Sequence, residues 1–136
     1  MYTPDKDFAQ LVSENVYMYR PGQRGAAHQI WDTNIVCEKF EINNVSQVID
    51  YLGMVGDAVD NIPGIAGVGP KTASKLLNKY GSMEGVYSNI GDLKGKLKEN
   101  IVNGEENAKL SKKLATILVN VPVEFDYNEL ELTEPN

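Results

Sequence analysis

Apolar residues recur at helical spacing along most of this chain and look strand-like only near its front. Phe8, Leu11 and Val12 form the first helical group. Val16 to Tyr19 is β-prone and is ended by Pro21-Gly22. Residues 23–41 are poorly patterned, with a short strand expected around Ile35 to Phe40. Val45, Val48, Ile49 and Leu52 make a helical stripe that Gly53 or Gly56 closes. Ala73, Leu76, Leu77 and Tyr80 fall at i, i+3, i+4 and i+7, which predicts a helix from about Pro70 to Tyr80 with Gly81 as its C-cap. Ser82 is expected to N-cap the next short helix and Asp92 another. Leu110, Leu114, Ile117 and Leu118 mark a last helix that Pro122 breaks, and the tail from Val123 reads as extended and acidic. The fold class is mostly α, with a small β element at the N-terminus.

Composition narrows the setting. The chain has 136 residues, 42% hydrophobic and 24% charged, ordinary for one soluble globular domain with a modest core. No apolar run approaches the ~20 residues of a membrane span, and no signal peptide is visible. A single cysteine, Cys37, allows no internal disulfide, which suits a reducing cytoplasm and a thiol packed as a small hydrophobe.

The net charge of −6 argues against a nucleic-acid partner until its distribution is read. Lys71 to Lys113 carries nine Lys/Arg and five Asp/Glu, while the remainder carries four and fourteen. A basic segment beside an acidic one suits a protein that grips phosphates in one place and metal ions in another. A mixed solvated surface is the plainer alternative.

The segment Ile65-Ala66-Gly67-Val68-Gly69-Pro70-Lys71-Thr72-Ala73 carries the strongest binding signal. Two glycines two apart allow a tight turn and the close approach of another backbone. Pro70 suits the first helical turn, whose free N–H groups favour an anion. Lys71, Lys75 and Lys79 lie four apart, opposite the apolar stripe. This is the layout of a helix–hairpin–helix element, which holds sugar-phosphate backbone without reading bases. The alternative is a glycine turn joining two core helices, with solvated lysines.

Asp5 and Asp7 are two apart, and Asp57 and Asp60 are three apart. Each pair can point at one ion. Oxygen-only sets suit Mg²⁺ or Mn²⁺, and with only His28 and Cys37 a zinc site is unsupported. Two such ions about 4 Å apart can activate water and stabilise a leaving oxygen in phosphodiester hydrolysis. A capped loop and a pair of helix caps remain the alternatives. His28 and Trp31 receive no function.

Thr3-Pro4-Asp5-Lys6-Asp7, followed by Phe8-Ala9-Gln10-Leu11-Val12, resembles the T-x-D-x-D stretch of the 5′-nucleases. Gly56-Asp57-Ala58-Val59-Asp60-Asn61-Ile62-Pro63-Gly64 resembles their G-D-x-x-D-N-[IL]-P-G motif and runs straight into the hairpin segment. The nearest likeness is to the 5′→3′ exonuclease domain of bacterial DNA polymerase I, its C-terminal half only. The resemblance implies a helix–three-turn–helix domain similar to sterile-alpha-motif (SAM) folds, cut from an α/β, PIN-like 5′-nuclease. It divides the chain into a remnant of the nuclease core at 1–44, a helical DNA-binding domain at 45–121, and a tail leading to the next domain at 122–136.

The resemblance also implies roles. Asp5, Asp7, Asp57 and Asp60 would be metal ligands for Mg²⁺ or Mn²⁺. Gly67, Val68, Gly69, Lys71, Thr72 and Lys75 would contact DNA, and the carbonyls of Pro63, Ile65 and Val68 would hold K⁺ or Na⁺. The family's N-terminal half, with its other carboxylates and helical arch, is absent, so the chain is read as a truncated nuclease or a fragment of a longer polymerase, with little or no activity alone. The implied partner is flapped or nicked duplex DNA, bound without sequence preference by a cytoplasmic bacterial monomer. A non-catalytic helix–hairpin–helix DNA-binding module is the alternative, and a small protein-interaction domain a third reading.

Overall fold

The computed structural model describes residues 1–131 except Gln23. Lys6–Leu11 forms a 3-10 helix whose N-cap, Asp5, accepts from the Asp7 N–H at 3.0 Å. Strands β1 (Met18–Arg20) and β2 (Gln29–Trp31) pair antiparallel, with Met18 opposite Trp31. Six α-helices follow among the described residues: α1 (Thr33–Phe40), α2 (Val48–Val55), α3 (Pro70–Tyr80), α4 (Met83–Ser88), α5 (Gly95–Asn103) and α6 (Glu105–Ala115). Among the described residues no helix is long and apolar enough to cross a membrane.

The helix over Pro70–Tyr80, its Gly81 C-cap and the Ser82 N-cap stand where the sequence puts them. Gly56, not Gly53, ends α2. Other expectations need correction. Residues 35–40 are helical, not a strand. The Asp32 carboxylate accepts the Ile35 N–H at 2.9 Å and starts α1, which then buries Val36 and Phe40 one turn apart. Asp92 caps nothing: it closes a 3-10 turn, and α5 begins at Gly95 after Lys94.

The last helix faces the other way from its leucines. Leu110 and Leu114 are 49% and 56% exposed, while Ala108, Ser111 and Ala115 are buried. Small residues win that face because α2 comes very close: a Cβ built on Gly53 would stand 2.9 Å from Lys112 Cβ. The helix ends at Ala115, ahead of Ile117, Leu118 and Pro122. The tail contains a 3-10 turn at Tyr127–Leu130.

One apolar core runs from Ala9, Val12, Met18 and Trp31 to Leu52, Met54, Leu77 and Ile101. Three polar side chains pin it. Buried Gln47 accepts from the N–H groups of Asn43 and Asn44 at 2.8 and 3.1 Å and donates to the carbonyls of Leu77 and Gly81 at 3.0 and 2.8 Å. It thereby joins the start of α2 to the open C-terminus of α3. Ser74 Oγ donates to Phe40 O at 2.8 Å, tying α3 to α1. Gln10 Nε2 donates to Ala115 O at 2.8 Å, and its Oε1 accepts the Ile117 N–H at 2.9 Å, so the 3-10 helix is tied to the end of α6.

Candidate nucleic-acid interface

Between α2 and α3 the chain makes two consecutive bends. The first is closed by a backbone pair, with Asp57 N–H on Ile62 O at 2.9 Å and Ile62 N–H on Asp57 O at 2.8 Å. Gly56 (φ 73) and Gly64 (φ 63) meet back to back: a Cβ on either would approach the other's N at 2.6–2.7 Å. Only glycine fits both that contact and the left-handed backbone. Ser111 of α6, fully buried, accepts the Gly64 N–H at 2.8 Å and fixes the bend from beneath.

The second bend is the glycine hairpin. Ile65 and Val68 are buried, so those two side chains serve the core. Gly67 (φ 79) needs its glycine, and Asn100 of α5 covers the place of its Cβ. Gly69 is different. Its φ of −94 suits any residue, and a Cβ there would meet nothing within 4 Å. Among the described residues nothing requires a glycine at 69, which leaves room for an outside group against its N–H.

α3 starts at Gly69 with no side-chain cap. Among the described residues the N–H groups of Gly67, Gly69, Lys71 and Thr72 donate to no protein acceptor. Lys71, Lys75 and Lys79 are exposed and form no ion pair among the described residues. They line, with half-buried Thr72, one wall of a groove of about 410 Å³ whose other wall includes Leu93, Lys94 and Leu97. Unbonded N–H groups, the positive end of a helix and unpaired lysines together favour an anion.

The aspartates share one electrostatic neighbourhood. Burial pushes the Asp7 carboxyl above its ordinary range, and Asp5 adds to the shift, with smaller contributions from Asp57 and Asp60. Asp7 Oδ1 is sealed from solvent and has no hydrogen-bond partner among the described residues. Lys6, missed in the sequence reading, lies between Asp5 and Asp7 in the chain and reaches Asp57 Oδ2 at 2.6 Å. Its hydrogen bond, followed by that of the Val59 N–H, holds Asp57 below the usual carboxylate range. Asp5 and Asp60 are exposed. Among the described residues no three His, Cys, Asp or Glu side chains converge closely enough to hold an ion as folded.

The donor chemistry still fits a hard divalent cation. All four groups are carboxylates, and one buried oxygen lacks any donor. His28, which received no role, stacks on Tyr19 with centroids 4.8 Å apart, and Trp31 lies buried beneath Arg20.

A SAM-like helical domain with an uncapped glycine hairpin at the start of α3 is the class that fold and site define. Residues 43–136 match the family described as "5′-3′ exonuclease, C-terminal SAM fold", and the chain belongs to that family. It is 37% identical over 136 residues to a 5′-3′ exonuclease of Aquifex aeolicus, covering 100% of this chain and 44% of that protein. It is 36% identical over 136 residues to DNA polymerase I of Caldicellulosiruptor bescii, covering 98% of this chain and 16% of that one. The chain thus spans less than half of the length of these curated relatives. In structure it resembles the T5 5′-exonuclease bound to zinc, with TM-score 0.72 and 22% identity, over 84% of this chain and 41% of that one. A bacteriophage T5 flap endonuclease in a complex with DNA and metal ions gives TM-score 0.69 and 23% identity, over 84% and 41%. These last two show a shared fold.

Proposed function

We propose that this chain is the DNA-anchoring part of a divalent-metal-dependent 5′→3′ exonuclease and flap endonuclease that acts in DNA replication and repair. The observation that carries the reading is the set of unbonded N–H groups at Gly67, Gly69, Lys71 and Thr72 beside unpaired lysines. These groups hold phosphate oxygens and no base edge, which gives affinity for duplex DNA without sequence preference. Lys71, Thr72 and Lys75 extend the grip along α3. The carbonyls of Pro63, Ile65 and Val68 would face a K⁺ or Na⁺ at the hairpin; Ile65 O accepts the Val68 N–H at 3.0 Å and keeps a second lone pair.

Asp5, Asp7, Asp57 and Asp60 would hold Mg²⁺ or Mn²⁺, with Lys6 competing for Asp57. When bound, such ions activate a water and stabilise the leaving oxygen of a phosphodiester. The chain's own part is to fix the duplex so that a strand meets these carboxylates. Because these relatives are more than twice as long, cleavage is assigned to the whole enzyme and none to this chain alone.

Fluorescence anisotropy with a 5′-flapped duplex tests the anchor. Gly69→Val keeps the fold, at a cost of about 1 kcal/mol for an apolar residue at the N-cap of α3. It should weaken DNA binding about tenfold or more, since a lost charge-assisted hydrogen bond is worth about 1.5–3 kcal/mol. Unchanged affinity would reject the hairpin as the contact.

One observation favours a module that only binds DNA: Lys6 is seated on Asp57, and no three acids converge among the described residues. Manganese titration separates the two. Asp57→Asn with Asp60→Asn should weaken Mn²⁺ binding about tenfold or more and leave DNA binding intact. An unaltered Mn²⁺ affinity would establish the binding-only module.

A further inference from the structure

Only four Lys/Arg lie outside the basic segment Lys71–Lys113, in a remainder dominated by carboxylates. Folding brings three of them, Lys6, Arg20 and Lys39, to one cleft of about 450 Å³. They come from three different elements: the first 3-10 helix, the end of β1 and the last turn of α1. Among the described residues no Asp or Glu lines the cleft, although the chain has 19 of them against 13 Lys/Arg. The groove beside α3, by contrast, includes Asp92. Trp31 and Tyr51 contribute apolar surface and Gln29 an amide. The volume lies within the roughly 300–1,000 Å³ usual for small-ligand sites.

The cleft's position sets what can reach it. Gly56 and Pro70 both line it, and they bracket the carboxylate loop and the glycine hairpin. Lys6 joins it to Asp57. Arg20 is already positioned: its guanidinium lies 4.4 Å from the Trp31 ring centroid and donates to Pro4 O at 2.7 Å. That single bond leaves its remaining N–H donors for an outside acceptor, with little side-chain freedom left to lose. Lys39 is exposed and forms no ion pair among the described residues.

We infer that this cleft is a second phosphate-binding site, which takes the backbone of the DNA strand as it passes from the hairpin to the aspartates. The inference rests on the DNA-anchoring reading above. Arg20 and Lys39 supply the donors, and half-buried Tyr51 meets the sugar edge of the same nucleotide. The phosphate binds by charge-assisted hydrogen bonds with release of counterions and no covalent step. The two sites then hold one strand at two places, which fixes its direction as well as its position.

The 136-residue chain is titrated with a 5′-flapped duplex between 50 and 200 mM salt. Arg20→Ala with Lys39→Ala should lower the slope of log affinity against log salt by about 1.8, or about 0.9 per lost phosphate contact. Lys39→Ala alone, at an exposed and unpaired position, should lower it by about 0.9 with an unchanged melting temperature. Arg20→Lys should restore most of the slope. Lys109→Ala with Lys113→Ala changes net charge equally on α6 and should leave the slope as in the unsubstituted chain. A wild-type slope in both cleft variants overturns the inference, while Gly69→Val in the same assay shows whether the hairpin still binds. If the unsubstituted chain shows no salt-dependent binding, the anchoring reading falls and this site with it.

Discussion

Gly64→Ala should cost on the order of 4 kcal/mol or more, enough to leave a marginal domain largely unfolded at 37 °C. Three causes act together. The backbone at 64 has φ 63, where a Cβ is strained. That Cβ would stand 2.6 Å from Gly56 N and from Val55 C, backbone atoms at the end of α2 that cannot rotate away. Any retreat pulls the Gly64 N–H off buried Ser111, leaving an unpaired polar group in the core. Thermal melting by circular dichroism measures the effect. A melting temperature within about 2 °C of the unsubstituted protein would mean that α2 and α3 yield at that bend.

Lys112→Met should cost about 3–5 kcal/mol at neutral pH and change how stability depends on pH. Lys112 Nζ stands 2.6 Å from Asp50 Oδ1 and 2.7 Å from Glu84 Oε1, and Asp50 is 5% exposed. Burial pushes the Asp50 carboxyl above its ordinary range even though Lys112 pulls it down. Glu84 lies below its ordinary range because of its hydrogen bond to Lys112.

The two carboxylates therefore respond to pH in opposite directions. A raised folded pKa gives Asp50 a stabilising contribution at acid pH that is lost as pH rises through that value. The lowered pKa of Glu84 gives a contribution present above its unfolded value and lost as pH falls. Removing Lys112 cancels the second and enlarges the first. The variant should therefore recover stability as pH falls toward 4, and urea titrations at pH 7 and pH 4.5 read the change. A loss of equal size at both values would show that Asp50 finds another partner.

The helix over Pro70–Tyr80 was legible because its signals are local: an apolar stripe, a proline at the start and a glycine after the end. α1 was not. Ile35 and Val36 are β-branched, and the helix depends on the Asp32 cap and on a core that reaches Val36 and Phe40 only after folding. The leucines of α6 misled for a related reason: close approach at Gly53 selects alanine and serine, a requirement that no window of sequence reveals.

The candidate site shows the same division. The aspartates and glycines stood out by spacing. Lys6 on Asp57 is a contact across 51 residues, and charge counted along the chain hid three cations around one cleft.

Gln10 bonds with one amide to both Ala115 and Ile117 while its own turn carries Asp7. The acidic turn is therefore not an independent arm. A strain that lengthens or twists the chain just past α6 reaches the Asp5–Asp7 turn through the Gln10 side chain, more than 100 residues earlier in the sequence. Loosening at that joint shifts them without any change in the hairpin.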